Sequence, residues 1–247
     1  MAQRAEILAH PLWYHTLELE PGLVTPGWFD LRPIVERMPW PDVSGKRCLD
    51  VGTWDGFLAF ELERRGASDV IATDIGDPSQ WDWAARDRLA GPAAIAAQVG
   101  DRTGAGFELA KRALGSAVER REVNVYDLDR AEIGGFDVVV CGSLMLHLRD
   151  PIRALEAIHG VCDGHFLSAE QVQRQLAGAR RPAARFLAGE NCQWWIPNLA
   201  AHRRMVAAAG FAVERSTGVY AIPLGEGHPA KRRRGIPHAA VLARPER

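Results

Sequence analysis

Residues 47–57, Arg-Cys-Leu-Asp-Val-Gly-Thr-Trp-Asp-Gly-Phe, constrain the fold more than any other stretch. An apolar run, Cys48 to Val51, breaks at Gly52, where a ligand can approach the backbone without a Cβ in the way. Near Gly56 the pattern becomes helical, Phe57-Leu-Ala-Phe-Glu-Leu-Glu-Arg-Arg, and stops at Gly66. A second apolar run, Val70-Ile-Ala-Thr, ends at Asp74. Strand, glycine turn, helix and strand ending in an acid, all within about 30 residues, form a nucleotide-binding βαβ unit. Asp74 is spaced to accept hydrogen bonds from ribose hydroxyls.

The turn argues against a dinucleotide. A pyrophosphate rests on a helix N-terminus across three glycines. Here Trp54 occupies the place of the second glycine, and Asp55 would face the phosphates with the wrong charge. Asp50 suits a cationic ligand, because its carboxylate can hold an amino group or the water around it.

The rest of the chain extends this unit into one α/β domain. Further strands are expected at 122–126, 136–141, 166–170, 211–217 and 239–243, with helices at 107–114, 151–159 and 199–209. Asn198 caps the last of these and Gly210 stops it. The count gives a Rossmann-like, doubly wound mixed sheet of seven strands, the last two an antiparallel edge hairpin. Residues 1–44 precede it as an arm or lid, with a helix expected from Thr25-Pro26 to about Arg37. Residues 45–247 form the domain. A basic, Ala-rich cap, expected as an inserted helix or cap, occupies about 171–198.

Apolar residues make up 47% of the 247 and charged residues 25%, with a formal net charge of −1, so global charge recommends neither nucleic acid nor membrane. No apolar run approaches the roughly 20 residues of a membrane span, the N-terminus lacks a signal-like apolar core, and Cys48, Cys141, Cys162 and Cys192 show no metal-like spacing. These features lead to the expectation of a reduced, cytoplasmic enzyme.

The Asp50-x-Gly52-x-x-x-Gly56 stretch resembles motif I of the class I S-adenosylmethionine-dependent methyltransferases. Further patches resemble the methyltransferase-like relatives of the tRNA wobble-uridine carboxymethyltransferase. These are Trp13-Tyr-His-Thr, Val24-Thr-Pro-Gly-Trp-Phe-Asp, His147-Leu-Arg-Asp-Pro and Trp195-Ile-Pro-Asn, together with Gly210-Phe. The resemblance covers roughly residues 10–245 in patches. It implies S-adenosyl-L-methionine as cofactor, leaving S-adenosyl-L-homocysteine, held by Asp50, Gly52, Thr53, Trp54, Gly56, Asp74, Ile75, Tyr126, Asp127, Cys141 and Gly142. Ile75 would cover the adenine, beside Trp81 or Trp83; Asp127 would accept the adenine amino group or simply form a turn. One departure is informative. The carboxymethyltransferases place a carboxylate-binding tyrosine directly before the histidine that matches His147, where this chain has Leu146. A carboxylate left unpaired there would cost several kcal/mol, which argues for ordinary S-adenosylmethionine and against tRNA.

His147, past the end of the fourth core strand, is the candidate general base; its alternative role is to shape the loop. Trp13, Tyr14, His15 and Trp28 form the expected lid. Arg149 would hold an acidic substrate group or pair with Asp150 or Glu170. Trp194 and Trp195 would stack on substrate or wall the pocket. A divalent metal on Asp150 and Glu170 is conceivable but not favoured. Three functions follow: methyl transfer to a small-molecule hydroxyl of a sugar or secondary metabolite, tRNA modification, and a non-catalytic cofactor-binding regulator. The tRNA reading would need a basic groove through Arg180, Arg181, Arg185 and Lys231–Arg234.

Overall fold

In the computed structural model, which describes residues 2–100, 102–176, 181–230 and 235–246, β3 (Arg47–Val51) lies in the middle of the sheet and is buried from Cys48 onward. An arm precedes it, comprising α1 (Ala2–Ala9) and the short hairpin of β1 (Glu18–Glu20) and β2 (Leu23–Val24). From β3 the chain runs through α2 (Phe57–Arg64) into β4 (Asp69–Asp74), then α3 (Ala85–Leu89), α4 (Pro92–Val99) and α5 (Ala105–Leu114) to β5 (Glu119–Glu122). It crosses back through α6 (Arg130–Ile133) to β6 (Phe136–Gly142) and continues through α7 (Pro151–Val161) to β7 (Cys162–Gln171). A separate hairpin of β8 (Ala184–Glu190) and β9 (Gln193–Pro197) follows. The chain ends with α8 (Leu199–Ala208), β10 (Phe211–Ser216), β11 (Tyr220–Ile222) and β12 (Ile236–Pro245).

The sheet order is β10-β12-β7-β6-β3-β4-β5, with β11 added beside β12. Strands β3 to β7 pair in parallel, while β12 runs antiparallel to both β7 and β10. The expected doubly wound, seven-stranded mixed sheet is therefore present, extended by β11. The chain moves outward from β3 to β5 and then restarts on the other side at β6. This switch in strand order opens a crevice above the carboxyl ends of β3 and β6. One face of the sheet packs on α2, α5 and the arm, and the other on α7 and α8.

Local structure departs from expectation in three places. Residues 25–34 are not helical, and only a single 3-10 turn forms, at Val35–Arg37. The backbone instead pairs with the preceding segment, with Trp28 N donating to Trp13 O and Phe29 N to Tyr14 O. Gly27 allows this close approach, since a Cβ there would lie 2.2 Å from the His15 carbonyl carbon. The third core strand ends at Glu122, because Asn124 accepts the Tyr126 N–H and starts a 3-10 turn over Val125–Asp127. The cap is a hairpin in place of the expected helix, with Phe186 opposite Trp195 and their rings 4.6 Å apart. Cross-strand aromatic pairs of this kind override the helical bias of alanine.

Candidate active site

A cavity of about 600 Å³ sits in the crevice at the strand ends. On its floor, Asp50 is 1% exposed, yet neither carboxylate oxygen meets a hydrogen-bond donor. Burial holds its pKa up at about 7, while the nearby Thr53 hydroxyl and Ala59 N–H, outside ordinary hydrogen-bond geometry, pull weakly the other way. A buried carboxylate without a partner is costly, and this one lines the cavity wall. The Thr53 hydroxyl beside it is also buried and unpartnered. One strand over, Asp74 accepts from Trp54 N at 2.7 Å and from Ile75 N at 2.8 Å, which fixes both its carboxylate and the turn. Burial raises its pKa, while those two N–H groups work in the opposite direction.

The arm is fastened to this floor by Asp55. Read from the sequence as a group facing the ligand, it instead turns beneath the arm, 1% exposed. There it accepts the Tyr14 and His15 backbone N–H groups at 2.8 Å each, and its other oxygen accepts from His15 Nδ1. The Tyr14 ring packs 5.1 Å from Trp54, which in turn lies 5.7 Å from Trp81.

His147 sits at the end of a 3-10 turn, Met145–His147, that follows β6. Its Nδ1 lies 2.8 Å from the Cys192 carbonyl oxygen in the β8–β9 turn. A carbonyl only accepts, so Nδ1 carries the proton and Nε2 keeps its lone pair. Burial pushes the His147 pKa down, so the ring is neutral near pH 7. The same turn is held from behind by Glu170, which accepts from Leu144 N at 3.3 Å and whose pKa burial raises to about 8. This is the geometry of a positioned base.

Of the cofactor residues expected from sequence, Asp50, Gly52, Thr53, Trp54, Asp74, Ile75, Tyr126 and Gly142 line the cavity. Gly56, Asp127 and Cys141 do not. Gly56 is needed for packing, since a Cβ there would lie 2.4 Å from the Phe60 ring. Asp127 is exposed and Cys141 is buried in the core on the α7 side of the sheet. Of the lid residues, Tyr14, His15 and Trp28 reach the cavity, whereas Trp13 is 2% exposed and donates its indole N–H to Ile7 O. Arg149, Trp194 and Trp195 stand behind the wall. Arg149 pairs with neither Asp150 nor Glu170; it donates to Trp83 O at 2.7 Å and lies 4.7 Å above the Trp194 ring. Asp150 caps α7 through Arg153 N. Among the described residues no cluster of three or more His, Cys, Asp or Glu side chains is arranged to hold a metal ion. Arg180 and Lys231–Arg234 lie outside the described residues.

Sequence reasoning missed Asp82, which accepts from Tyr126 Oη at 2.6 Å and from Arg149 N at 2.8 Å. It also missed Ser143, Tyr220 and His238, all on the wall. The alternation Tyr220-x-Ile222 was the one available signal for β11.

Comparison with known proteins agrees with this arrangement. A family model described as "Methyltransferase domain" matches residues 30–216. The ubiquinone biosynthesis O-methyltransferase of Pseudomonas aeruginosa (strain LESB58) is 28% identical over 158 residues, covering 62% of this chain and 54% of that protein. The chain thus spans about half the length of the curated relatives it matches. Among solved structures, the 1,6-didemethyltoxoflavin-N1-methyltransferase of Burkholderia thailandensis, with bound 1,6-didemethyltoxoflavin and S-adenosylhomocysteine, superposes with a TM-score of 0.56 at 16% identity, over 88% of this chain and 78% of that one. The N-terminal domain of EvdMO1, in the presence of SAH and D-fucose, gives 0.57 at 16% identity, over 99% of this chain and 95% of that one. At such identities the likeness is one of fold. No helix among the described residues is long and apolar enough to cross a membrane. With a doubly wound sheet, an acid at the carboxyl end of each of the neighbouring strands β3 and β4, and a domain model spanning most of its length, the chain belongs to the methyltransferase domain family.

Proposed function

We propose that the protein is an S-adenosylmethionine-dependent methyltransferase acting on a hydroxyl of a small molecule, with His147 as general base. The observation that carries this reading is Asp50, a buried carboxylate on the cavity floor with both oxygens unpartnered. An ammonium group of the cofactor's amino-acid end would give it the charged partner it lacks, and the orphaned Thr53 hydroxyl is available beside it. Asp74 has the free acceptor capacity that ribose hydroxyls require. Trp54, Ile75 and Tyr126 supply flat or apolar walls for a base. The residues present therefore fit S-adenosylmethionine, which supplies an electrophilic methyl group.

The chain's own task is positioning. His147 Nε2 is placed to take the acceptor's hydroxyl proton, and the bound cofactor would supply the methyl group to that oxygen. Tyr14 and Trp28 exclude water from above. The relatives named as O-methyltransferases agree with transfer to oxygen. Those relatives lend no support to the tRNA wobble-uridine reading, and the wall position Leu146 offers no donor for an extra carboxylate.

The test combines binding and transfer. Calorimetry should show S-adenosylhomocysteine binding, and methyl-labelled S-adenosylmethionine should label a small-molecule fraction of a cell extract. Label lost on ribonuclease treatment would establish the tRNA reading instead. Binding with no transfer to any fraction would leave a cofactor-sensing regulator.

A further inference from the structure

The cavity extends well beyond the part that Asp50 and Asp74 define. It continues across the sheet from β3 over β6 and β7 to β12, three strand spacings or about 14 Å. The far half is closed by the arm and by β11, and its wall is mostly apolar: Phe29, Leu31, Ile34, Met38, Ile222 and Ile236. Among the described residues, no lysine or arginine lines any part of the cavity. Its carboxylates among the described residues are Asp50 and Asp74 at the near end and Asp82, already engaged by Tyr126 Oη and Arg149 N.

Two histidines line the far half, His228 beside Trp28 and Phe29 and His238 on β12, and His238 is neutral. His238 Nδ1 faces the Ile236 carbonyl at 3.0 Å and therefore donates to it, and Nε2 accepts from Ser143 Oγ at 2.9 Å. Burial lowers its pKa to about 4. Opposite His238 in the β11–β12 register stands Tyr220, whose hydroxyl oxygen is buried and has no hydrogen-bond partner. Burial and the nearby Glu170 both raise the Tyr220 pKa, so the hydroxyl keeps its proton and remains a donor.

We infer that the far half of the cavity binds an uncharged, ring-bearing alcohol such as a phenol, with a second oxygen that accepts a hydrogen bond from Tyr220. An anionic acceptor would meet no lysine or arginine among the described residues of the wall to pair it. A sugar would leave most of its hydroxyls facing Leu31, Ile34, Met38 and Ile222 without partners. A flat ring matches the apolar wall and the aromatic arm residues, and one oxygen satisfies the orphaned Tyr220 hydroxyl. This assignment rests on the methyltransferase reading and narrows its acceptor.

The experiment titrates the full chain, saturated with S-adenosylhomocysteine, with three probes. These are 4-hydroxyphenylacetamide, the anionic counterpart 4-hydroxyphenylacetate, and methyl β-glucoside. The amide should bind at least about tenfold more tightly than either of the others. Tyr220→Phe, which keeps the ring and its packing, should weaken the amide about tenfold while S-adenosylhomocysteine binding stays intact. Equal or tighter binding of the acetate or the glucoside, absence of amide binding, or an unchanged amide affinity in Tyr220→Phe would each overturn the assignment. Failure of S-adenosylhomocysteine itself to bind would remove the methyltransferase reading and this one together.

Discussion

Floor and roof of the cavity are closed by hydrogen bonds of very different span. On the floor, Trp54 N reaches Asp74 across 20 residues within one βαβ unit. In the roof, Tyr14 N reaches Asp55 across 41 residues, His147 reaches Cys192 across 45, and the Trp194 indole reaches Asp82 across 112. The floor is thus a local structure whose geometry a short stretch of chain can dictate. The roof exists only once distant segments have folded onto the sheet. Under the proposed function the difference also divides the chemistry: the floor would hold the cofactor's recognition groups, and the roof would aim the base and enclose the acceptor.

The largest expected effect tests the roof's catalytic share. His147→Ala should lower kcat by about 10²- to 10⁴-fold, the usual contribution of a positioned base. Affinity for S-adenosylhomocysteine, a property of the floor, should be unchanged by calorimetry. If kcat holds and cofactor affinity falls, His147 belongs to the floor and the division fails.

The floor was legible in the sequence because its residues are close neighbours in the chain. Asp50, Gly52 and Asp74 follow from strand-end positions and a glycine turn, with no need to know the rest of the fold. The roof was not, for identifiable reasons. The helix expected from Thr25 rested on Pro26 as a helix start, but Gly27 lets the backbone pack against His15 and pair there instead. The cap looked helical from its alanines, and Phe186 packing against Trp195 made it a hairpin. Asp55 entered the sequence reading only as an argument against a pyrophosphate, because its partners, Tyr14 and His15, approach from an arm whose path no local pattern reveals. Tyr220 and His238 become neighbours only through the antiparallel pairing of β11 with β12.

An intermediate effect sharpens the floor's side of the comparison. Asp50→Asn should weaken S-adenosylhomocysteine binding by about 10- to 100-fold, through loss of a charged hydrogen-bond partner. It should leave the cofactor-free protein no less stable, since the carboxylate it removes is unpaired. The pH dependence carries the same information. Asp50 and Glu170 have folded-state pKa values of about 7 and about 8, raised from 3.8 and 4.5 by burial. A raised carboxyl contributes stability that is fully present below its unfolded pKa and is lost as pH rises through the folded one. Buried His202 and His238, with pKa values lowered to about 4, gain stability as pH rises from about 4 to 6.5 and offset the loss there. The melting temperature of the cofactor-free protein should therefore fall between about pH 6.5 and pH 8. Bound S-adenosylhomocysteine should reduce that fall by pairing Asp50, whereas the part due to Glu170 should persist. A melting temperature that rises over this range would contradict the burial that raises both groups.

The smallest effect comes from loosening the roof without touching the cavity wall. Trp194 donates its indole N–H to Asp82 O at 2.7 Å and lies under the Arg149 guanidinium, so it ties the β8–β9 hairpin to the loop after β4. Trp194→Ala removes a hydrogen bond and a cation–π contact, together about 1–2 kcal/mol. Because the Cys192 carbonyl that orients His147 sits in the turn of that hairpin, the loss should appear as a roughly tenfold fall in kcat/KM. Cofactor affinity should stay within about twofold of the parent. Trp194→Phe keeps an aromatic ring under Arg149 and loses only the N–H, so its deficit should be the smaller of the two. If both variants instead weaken S-adenosylhomocysteine as much as they slow turnover, the hairpin supports the floor through Asp82 and Tyr126, and the two regions act as one unit. If they slow turnover alone, a roof assembled from distant segments sets the base independently of a floor built from one local unit.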